Sequence, residues 1–246
     1  MRVATFNTLF GGEDRLEGII AVVRRASPDL LILQECLGWE HGARLKRVAD
    51  AMGATDTHLG EARPRNSGKR YHVAIASRRP MRIVRVHNDP AQLGHCVVEA
   101  EIGGIRILGT HFDSHNEDLR TREAAYVNSV VNLAQPVLLA GDLNALSRRD
   151  PYPADLAELV RRASVDKYGH PPRFDTIDAL ERAGWIDARP AGDWVTARRD
   201  RGGVRIDYRT DYIFCSPPLA TRLIGASVVP ADGASDHEAL LAEFRD

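Results

Sequence analysis

The sequence predicts an α/β protein built from two packed mixed sheets with helices outside, and three observations carry that expectation. Apolar runs of strand length recur along the whole chain, several of them arranged in pairs and hairpins. Only a few helical stretches interrupt them, which disfavours a singly wound parallel sheet. Several runs stop at a carboxylate, amide or imidazole, the placement expected at strand carboxyl ends where open α/β folds build their sites.

In chain order, Arg2–Asn7 reads as a strand closing on an amide, 13–26 as a helix, and 29–34 as a buried strand that runs into Gln34 and Glu35. A helix follows over 40–52, then a polar segment rich in Arg, Pro, Asn and Gly. Strands are expected near 71–77, 82–88, 95–102 and 105–111. A helix over 118–133 takes its apolar positions from Leu119, Ala125, Val127, Val130, Val131 and Leu133. The strand 137–140 leads into Gly141-Asp142-Leu143-Asn144. The long connection 145–205 holds short helices near 154–162 and 174–183. Strands return at 211–215, 223–229 and 238–244. No internal repeat or low-complexity stretch is present.

The 246 residues suit one domain spanning 1–246, and 43% hydrophobic residues are ample for a core. Thirty-three Lys and Arg balance 34 Asp and Glu, so no global basic field drives non-specific nucleic-acid binding. Three cysteines, Cys36, Cys96 and Cys215, lack metal-ligand spacing and fit reduced thiols in a cytoplasmic protein. The chain enters its first strand at Arg2 without a charged-then-apolar leader or an apolar run of spanning length, so neither secretion nor membrane insertion is expected.

In Gly141-Asp142-Leu143-Asn144, period-2 alternation sends Asp142 and Asn144 to one side and Leu143 to the other, while Gly141 lets the backbone approach a bound group. The same stretch also reads as a polar turn closing a buried strand. Glu35 alone fits a solvated loop carboxylate, and Asn7 alone fits an amide that satisfies neighbouring backbone. The set in order decides the weighing: Thr5-Phe6-Asn7, Leu33-Gln34-Glu35, Gly141-Asp142-Leu143-Asn144, Thr210-Asp211-Tyr212-Ile213 and Ser235-Asp236-His237. This order resembles the endonuclease/exonuclease/phosphatase superfamily of metal-dependent phosphoesterases, which includes DNase I, apurinic endonucleases, inositol-phosphate 5-phosphatases and neutral sphingomyelinases. The resemblance runs from residue 2 to residue 244. Gly-Asp-x-Asn with Ser-Asp-His is its specific part.

The resemblance implies a four-layer α-β-β-α sandwich of two packed mixed β-sheets, DNase I-like, and hydrolysis of phosphate esters by in-line attack of water. It implies Mg²⁺, with Mn²⁺ as a possible substitute, held by Glu35, with Asn7 as ligand or phosphate contact and Asp236 completing the metal or water shell. Asp142 would orient or deprotonate the water, Asn144 would hold a phosphoryl oxygen, and His237, held by Asp211, would donate to that phosphate. His111, closing Ile105–His111, would stabilise the transition state. The segment Asn66-Ser-Gly-Lys-Arg70-Tyr71-His72 carries no glutamate to orient His111, which departs from the DNase I pattern and leaves the metal site intact.

Two alternatives compete within these motifs. Ile206-Asp207-Tyr208 resembles Thr210-Asp211-Tyr212, but Asp211 runs into Ile213-Phe214-Cys215-Ser216-Pro217, whereas Arg209 follows the Asp207 pair. His111-Phe-Asp113-Ser-His115 would place three zinc-type ligands on one face if the strand continued. It leaves Glu35, Asp142 and Asp236 unexplained. The connection 145–205 is where substrate choice is expected, through Tyr168 and the basic loop carrying Arg198, Arg199 and Arg201; a solvated loop is the plainer reading. Three function classes follow: a phosphodiesterase acting on DNA or RNA, a phosphatase of a small soluble metabolite, and a non-catalytic binding module. The last is disfavoured because every expected site position is filled. No membrane association or obligatory protein partner is evident.

Overall fold

The computed structural model describes residues 1–64, 67–201 and 203–246; Asn66 lies outside the described residues. The first sheet contains β1 (Arg2–Asn7), β2 (Leu30–Gln34), β3 (Asp56–Gly60), β4 (Val73–Ser77), and two strands from the end of the chain, Leu223–Val229 and Ala239–Phe244. The second contains β5 (Arg82–His87), β6 (Val97–Ile102), β7 (Ile105–His111), β8 (Val137–Asp142), β9 (Ile186–Asp187) and a strand over Asp211–Cys215. A hairpin, β10 (Ala197–Arg201) and β11 (Val204–Tyr208), stands apart from both; the three remaining strands are then β12 (Asp211–Cys215), β13 (Leu223–Val229) and β14 (Ala239–Phe244).

The sheets run β13-β14-β1-β2-β4-β3 and β5-β6-β7-β8-β12-β9. Each holds one parallel pair, β1 with β2 and β7 with β8, among antiparallel neighbours. Between the sheets lies an apolar core that includes Ile32, Ile75, Ile107, Leu138, Ile213 and Leu240. These strands are buried on both faces, which explains their nearly continuous apolar runs. Helices α1 (Leu16–Ala26) and α2 (Ala43–Met52) cover the outer face of the first sheet through Ile19, Val23, Leu45 and Val48. Helices α3 (Glu117–Val130) and α5 (Asp175–Arg182) belong to the other side, where Ala124, Val127, Ile177 and Leu180 cover the second sheet, while α4 (Leu156–Arg162), between them in sequence, packs Leu156 and Val160 with the β11 residues of the hairpin. The four-layer α-β-β-α arrangement follows.

The differences from the sequence reading have physical causes. The first helix begins at Leu16 because Phe10–Gly12 forms a separate 3-10 turn. The polar segment after α2 contains β3, whose half-exposed residues pair with β4 alone at the sheet edge. The basic loop before Asp211 is the β10–β11 hairpin, whose inward residues Ala197, Val204, Ile206 and Tyr208 form a small core with Leu146, Val160 and Tyr168. In α3, Ala125 is exposed and the buried face includes Glu117, Arg120 and Glu123. These charged side chains reach the loops that carry the site. The Glu123 carboxylate accepts from the backbone N–H of Gly94 and of Asp113, both at 2.7 Å. Glu117 pairs with Arg120 and accepts from the Thr176 N–H at 2.8 Å, tying α3 to α5.

Gly141 has a different role from the one its sequence suggests. A Cβ at this position would collide with the carbonyl oxygen of Thr110 on β7, so glycine permits close approach between strands, not of a ligand. We predict that Gly141→Ala lowers unfolding free energy by roughly 2 kcal/mol or more through overpacking. Urea denaturation checks this, and a loss below about 0.5 kcal/mol would contradict the contact.

Candidate active site

The carboxyl ends of the two parallel strand pairs deliver polar side chains to the same edge of the sandwich. β1 ends in Asn7, opposite Gln34 of β2. β7 ends in His111, opposite Asp142 of β8, and Asp211 at the start of β12 faces Asp142 from the other side. Glu35 and Asn144 each follow a strand end with left-handed backbone, φ 55° and 50°, which turns their side chains out of the sheet alternation. Asparagine tolerates that region, whereas glutamate occupies it at a cost of the kind that gathers at functional sites. Leu143 faces inward and is buried. Ser235 places the last segment by donating from Oγ to the Asn7 carbonyl at 2.7 Å.

The cluster centres on Asp142, which is 1% exposed. Asn7 Nδ2 donates to Asp142 Oδ2 at 3.0 Å and lies 3.3 Å from Glu35 Oε1, bridging the two sheets. The Asn144 N–H donates to Asp142 Oδ1 at 2.8 Å. His111 Nε2 and His237 Nε2 stand 3.7 and 3.8 Å from Asp142 Oδ2. His237 Nδ1 meets Asp211 Oδ2 at 2.8 Å. Asp207, the competing aspartate, sits in the hairpin and accepts instead from Arg205 at 3.1 Å.

Charge compensation sets the protonation states. Burial pushes the Asp142 carboxyl up, but His237 and Lys167, together with the Asn144 N–H, override it and hold the group below the ordinary aspartate value. Burial alone would lower His237, yet Asp211 and Asp142 raise it from 6.5 to about 10. Lys167 is pulled down by burial, against the attraction of Asp142.

Two clefts flank this centre. One, of about 430 Å³, is lined by Phe10, Glu35, Tyr71, His95, His111 and His115, among others. The other, of about 280 Å³, is lined by Lys167, Arg199, Tyr208, Asp236 and His237, among others. Glu35 is half-buried on the first, with Oε2 accepting from the Phe10 N–H at 2.9 Å. Asp236 is exposed, lines the second, and lies outside the Asp142, Asp211 and His237 cluster. Asn7 presents its amide nitrogen to the carboxylates, and its Oδ1 accepts from the Leu9 N–H at 3.0 Å. Of the expected substrate contacts, Arg198 and Arg199 both line the second cleft, where Arg198 also pairs with Glu238 and Asp207, and Arg201 is exposed beside the hairpin turn. Tyr168 is fully buried against Tyr208, so it supports the cleft wall and offers no face to a ligand.

The zinc alternative does not assemble. β7 ends at His111, so the alternation that would align three ligands stops there; Asp113 Oδ1 accepts from the His115 N–H, and the His115 side chain is 64% exposed. Among the described residues, the side chains whose ligand atoms cluster within 4.8 Å are Asp142, Asp211 and His237. Two members of the site were not named from sequence, although Lys167 lies in the connection where substrate choice was expected. His95 stacks on His111 at 4.3 Å between ring centroids. Lys167 Nζ donates to Asn144 Oδ1 at 2.8 Å. Neither residue belongs to a spaced motif; each reaches the site through tertiary packing of a loop.

The family model of the Endonuclease/Exonuclease/phosphatase family matches residues 4–237. An AP endonuclease structure from Archaeoglobus fulgidus superposes with TM-score 0.69 at 18% identity, covering 99% of each chain. A Beutenbergia cavernae endonuclease/exonuclease/phosphatase gives 0.72 at 19%, covering 100% of this chain and 71% of the other. The 3′ phosphatase NExo from Neisseria, bound to a product DNA hairpin, gives 0.68 at 20%, covering 100% and 99%. These likenesses show the shared fold. No curated protein matches the chain in sequence. Among the described residues, no helix is long and apolar enough to cross a membrane.

The folded-state value of His237 exceeds its ordinary one, so its ion pair contributes stability that is complete below pH 6.5 and fades as pH rises through about 10. NMR titration of the His237 ring in the metal-free protein should therefore show imidazolium persisting past pH 8, with Asp211→Asn moving the transition down. A wild-type midpoint near 6.5 would contradict the charge balance.

Proposed function

The chain belongs to the endonuclease/exonuclease/phosphatase family, and from that premise we propose that it is a divalent-metal-dependent phosphodiesterase of the nuclease type. One observation carries the choice of a diester: the Asp142 and His237 centre lies between two clefts, leaving room for a substituent on each side of a phosphate. A nucleic acid is the substrate class we favour, since the similar NExo structure holds a DNA hairpin. The nearly neutral chain then relies on local cations such as Arg199 and not on a global field. A phosphatase acting on a small soluble metabolite is the second reading, favoured by the same charge balance.

The donor chemistry fits a hard cation. Glu35 offers carboxylate oxygens at the edge of an open cleft, and Asn7 beside it could add its oxygen only by turning its amide away from Leu9. Mg²⁺, with Mn²⁺ as a substitute, would be held chiefly by Glu35 and would neutralise charge on the phosphoryl oxygens. The chain's own groups do the rest. Asp211 fixes the Nδ1 proton of His237, which leaves Nε2–H to donate to a phosphoryl oxygen. Asp142, ionised and held low, orients the attacking water more than it stores its proton. His111, stacked on His95 and in contact with Asn144, forms the wall on the Glu35 side. Three buried free cysteines support a reducing compartment, for which we propose the cytoplasm.

The test is hydrolysis of bis(4-nitrophenyl) phosphate and of single-stranded DNA with Mg²⁺, with and without a chelator. Glu35→Gln should weaken Mg²⁺ binding and lower kcat by about a hundredfold or more while thermal unfolding is unchanged. Undiminished turnover by this variant in chelator would overturn the metal assignment.

A further inference from the structure

Asn144 has one amide oxygen and two amide hydrogens, and with His111 protonated at Nδ1 and bare at Nε2 the protein engages all three. Oδ1 accepts from Lys167 Nζ at 2.8 Å. Nδ2 lies 3.1 Å from His111 Nε2 and 3.2 Å from the Phe112 carbonyl oxygen. An ammonium is a donor only, so the atom facing Lys167 must be oxygen, and the orientation of the amide is fixed. A phosphoryl oxygen accepts and does not donate. In this orientation Asn144 gives a phosphoryl oxygen a hydrogen only by releasing His111 or the Phe112 carbonyl.

Lys167 has hydrogens to spare without such an exchange. Its ammonium carries three hydrogens, and the one aimed at Asn144 leaves others for the cleft it shares with His237 and Arg199. The residue is built into the wall. Nζ lies 5.0 Å from the centroid of Tyr168 and 6.0 Å from that of Tyr208, whose rings favour a cation. Its backbone carbonyl accepts from Arg120, a fully buried guanidinium that also donates to the Asp113 carbonyl at 3.1 Å and pairs with Glu117. One guanidinium thus anchors both the segment after His111 and the turn that carries Lys167. Asp236, the carboxylate at the same cleft, is exposed, where solvent screens its repulsion of an anion.

We propose that Lys167 makes a phosphoryl-oxygen contact in this site, and that Asn144 positions its ammonium for it. The inference rests on the reading of the site as a phosphoesterase centre. It names the ligand class as a tetrahedral phosphate, of substrate or of released product, gripped between Lys167 and His237. Charge developing on the non-bridging oxygens in the transition state then meets a desolvated cation, which favours kcat over ground-state binding.

Lys167→Met keeps the stem packed on Tyr168 and Tyr208 and removes the charge; Lys167→Arg keeps the charge. Binding of inorganic phosphate by calorimetry is the direct readout, with hydrolysis of bis(4-nitrophenyl) phosphate as the second. Lys167→Met should weaken phosphate at least tenfold and lower kcat about a hundredfold, more than it raises KM, with thermal unfolding unchanged. Lys167→Arg should restore part of both. Phosphate affinity unchanged in Lys167→Met overturns the proposal, even if turnover falls, and so does a wild-type protein that does not bind phosphate. A wild-type protein that binds phosphate through Lys167 but cleaves no ester would sink the phosphoesterase reading and leave this contact standing.

Discussion

A carboxylate that is 1% exposed cannot remain ionised without compensation, and the requirements of Asp142 organise the structure around it. Its neighbours come from both sheets: Asn7 from β1, His111 from β7, Asp211 from β12, and His237 from the segment before β14. Packing two sheets face to face sets their strand ends at one edge, where no single element could supply all of these groups. The same compensation prepares the chemistry proposed for the site. A carboxylate held low and an imidazole raised to about 10 form a donor and an acceptor poised at fixed distance.

Around this centre the structure uses buried ion networks as ties between loops. Arg120 with Glu117 joins α3 to the Lys167 turn and the Asp113 segment. Arg209, also fully buried, pairs with Asp187 at 2.6 Å and Asp150 at 3.2 Å, joining the residues just before β12 to β9 and to the loop after Asn144. Such pairs contribute little net stability after desolvation. Their geometry specifies one arrangement of long connections that apolar packing alone would leave degenerate.

The strands and their terminal polar residues were legible in the sequence because a doubly buried strand is a continuous apolar run and its end is marked by Asn7, Glu35, His111 or Asp142. Alternation correctly sent Leu143 inward and Asp142 toward the site. The His237 and Asp211 pair was also readable, since the run after Asp211 is a core strand and the one around Asp207 is an amphipathic hairpin. What was not legible depends on loops. Lys167 sits in a basic stretch that looks like solvated surface, and only its docking beneath β11 brings Nζ to Asn144. Tyr168 next to it looked like a stacking residue, but it is buried because the hairpin covers it. The charged inner face of α3 had no signal in periodicity, since its partners are backbone groups of distant loops.

The role of the Asp142 charge is tested most directly by Asp142→Asn, which keeps the shape and removes the ionisation. Single-turnover cleavage of bis(4-nitrophenyl) phosphate at saturating Mg²⁺ should fall about a hundredfold or more, with the variant folded and unfolding cooperatively. Near wild-type turnover by Asp142→Asn would contradict the account, because the buried charge around which the other residues converge would then be dispensable to the chemistry.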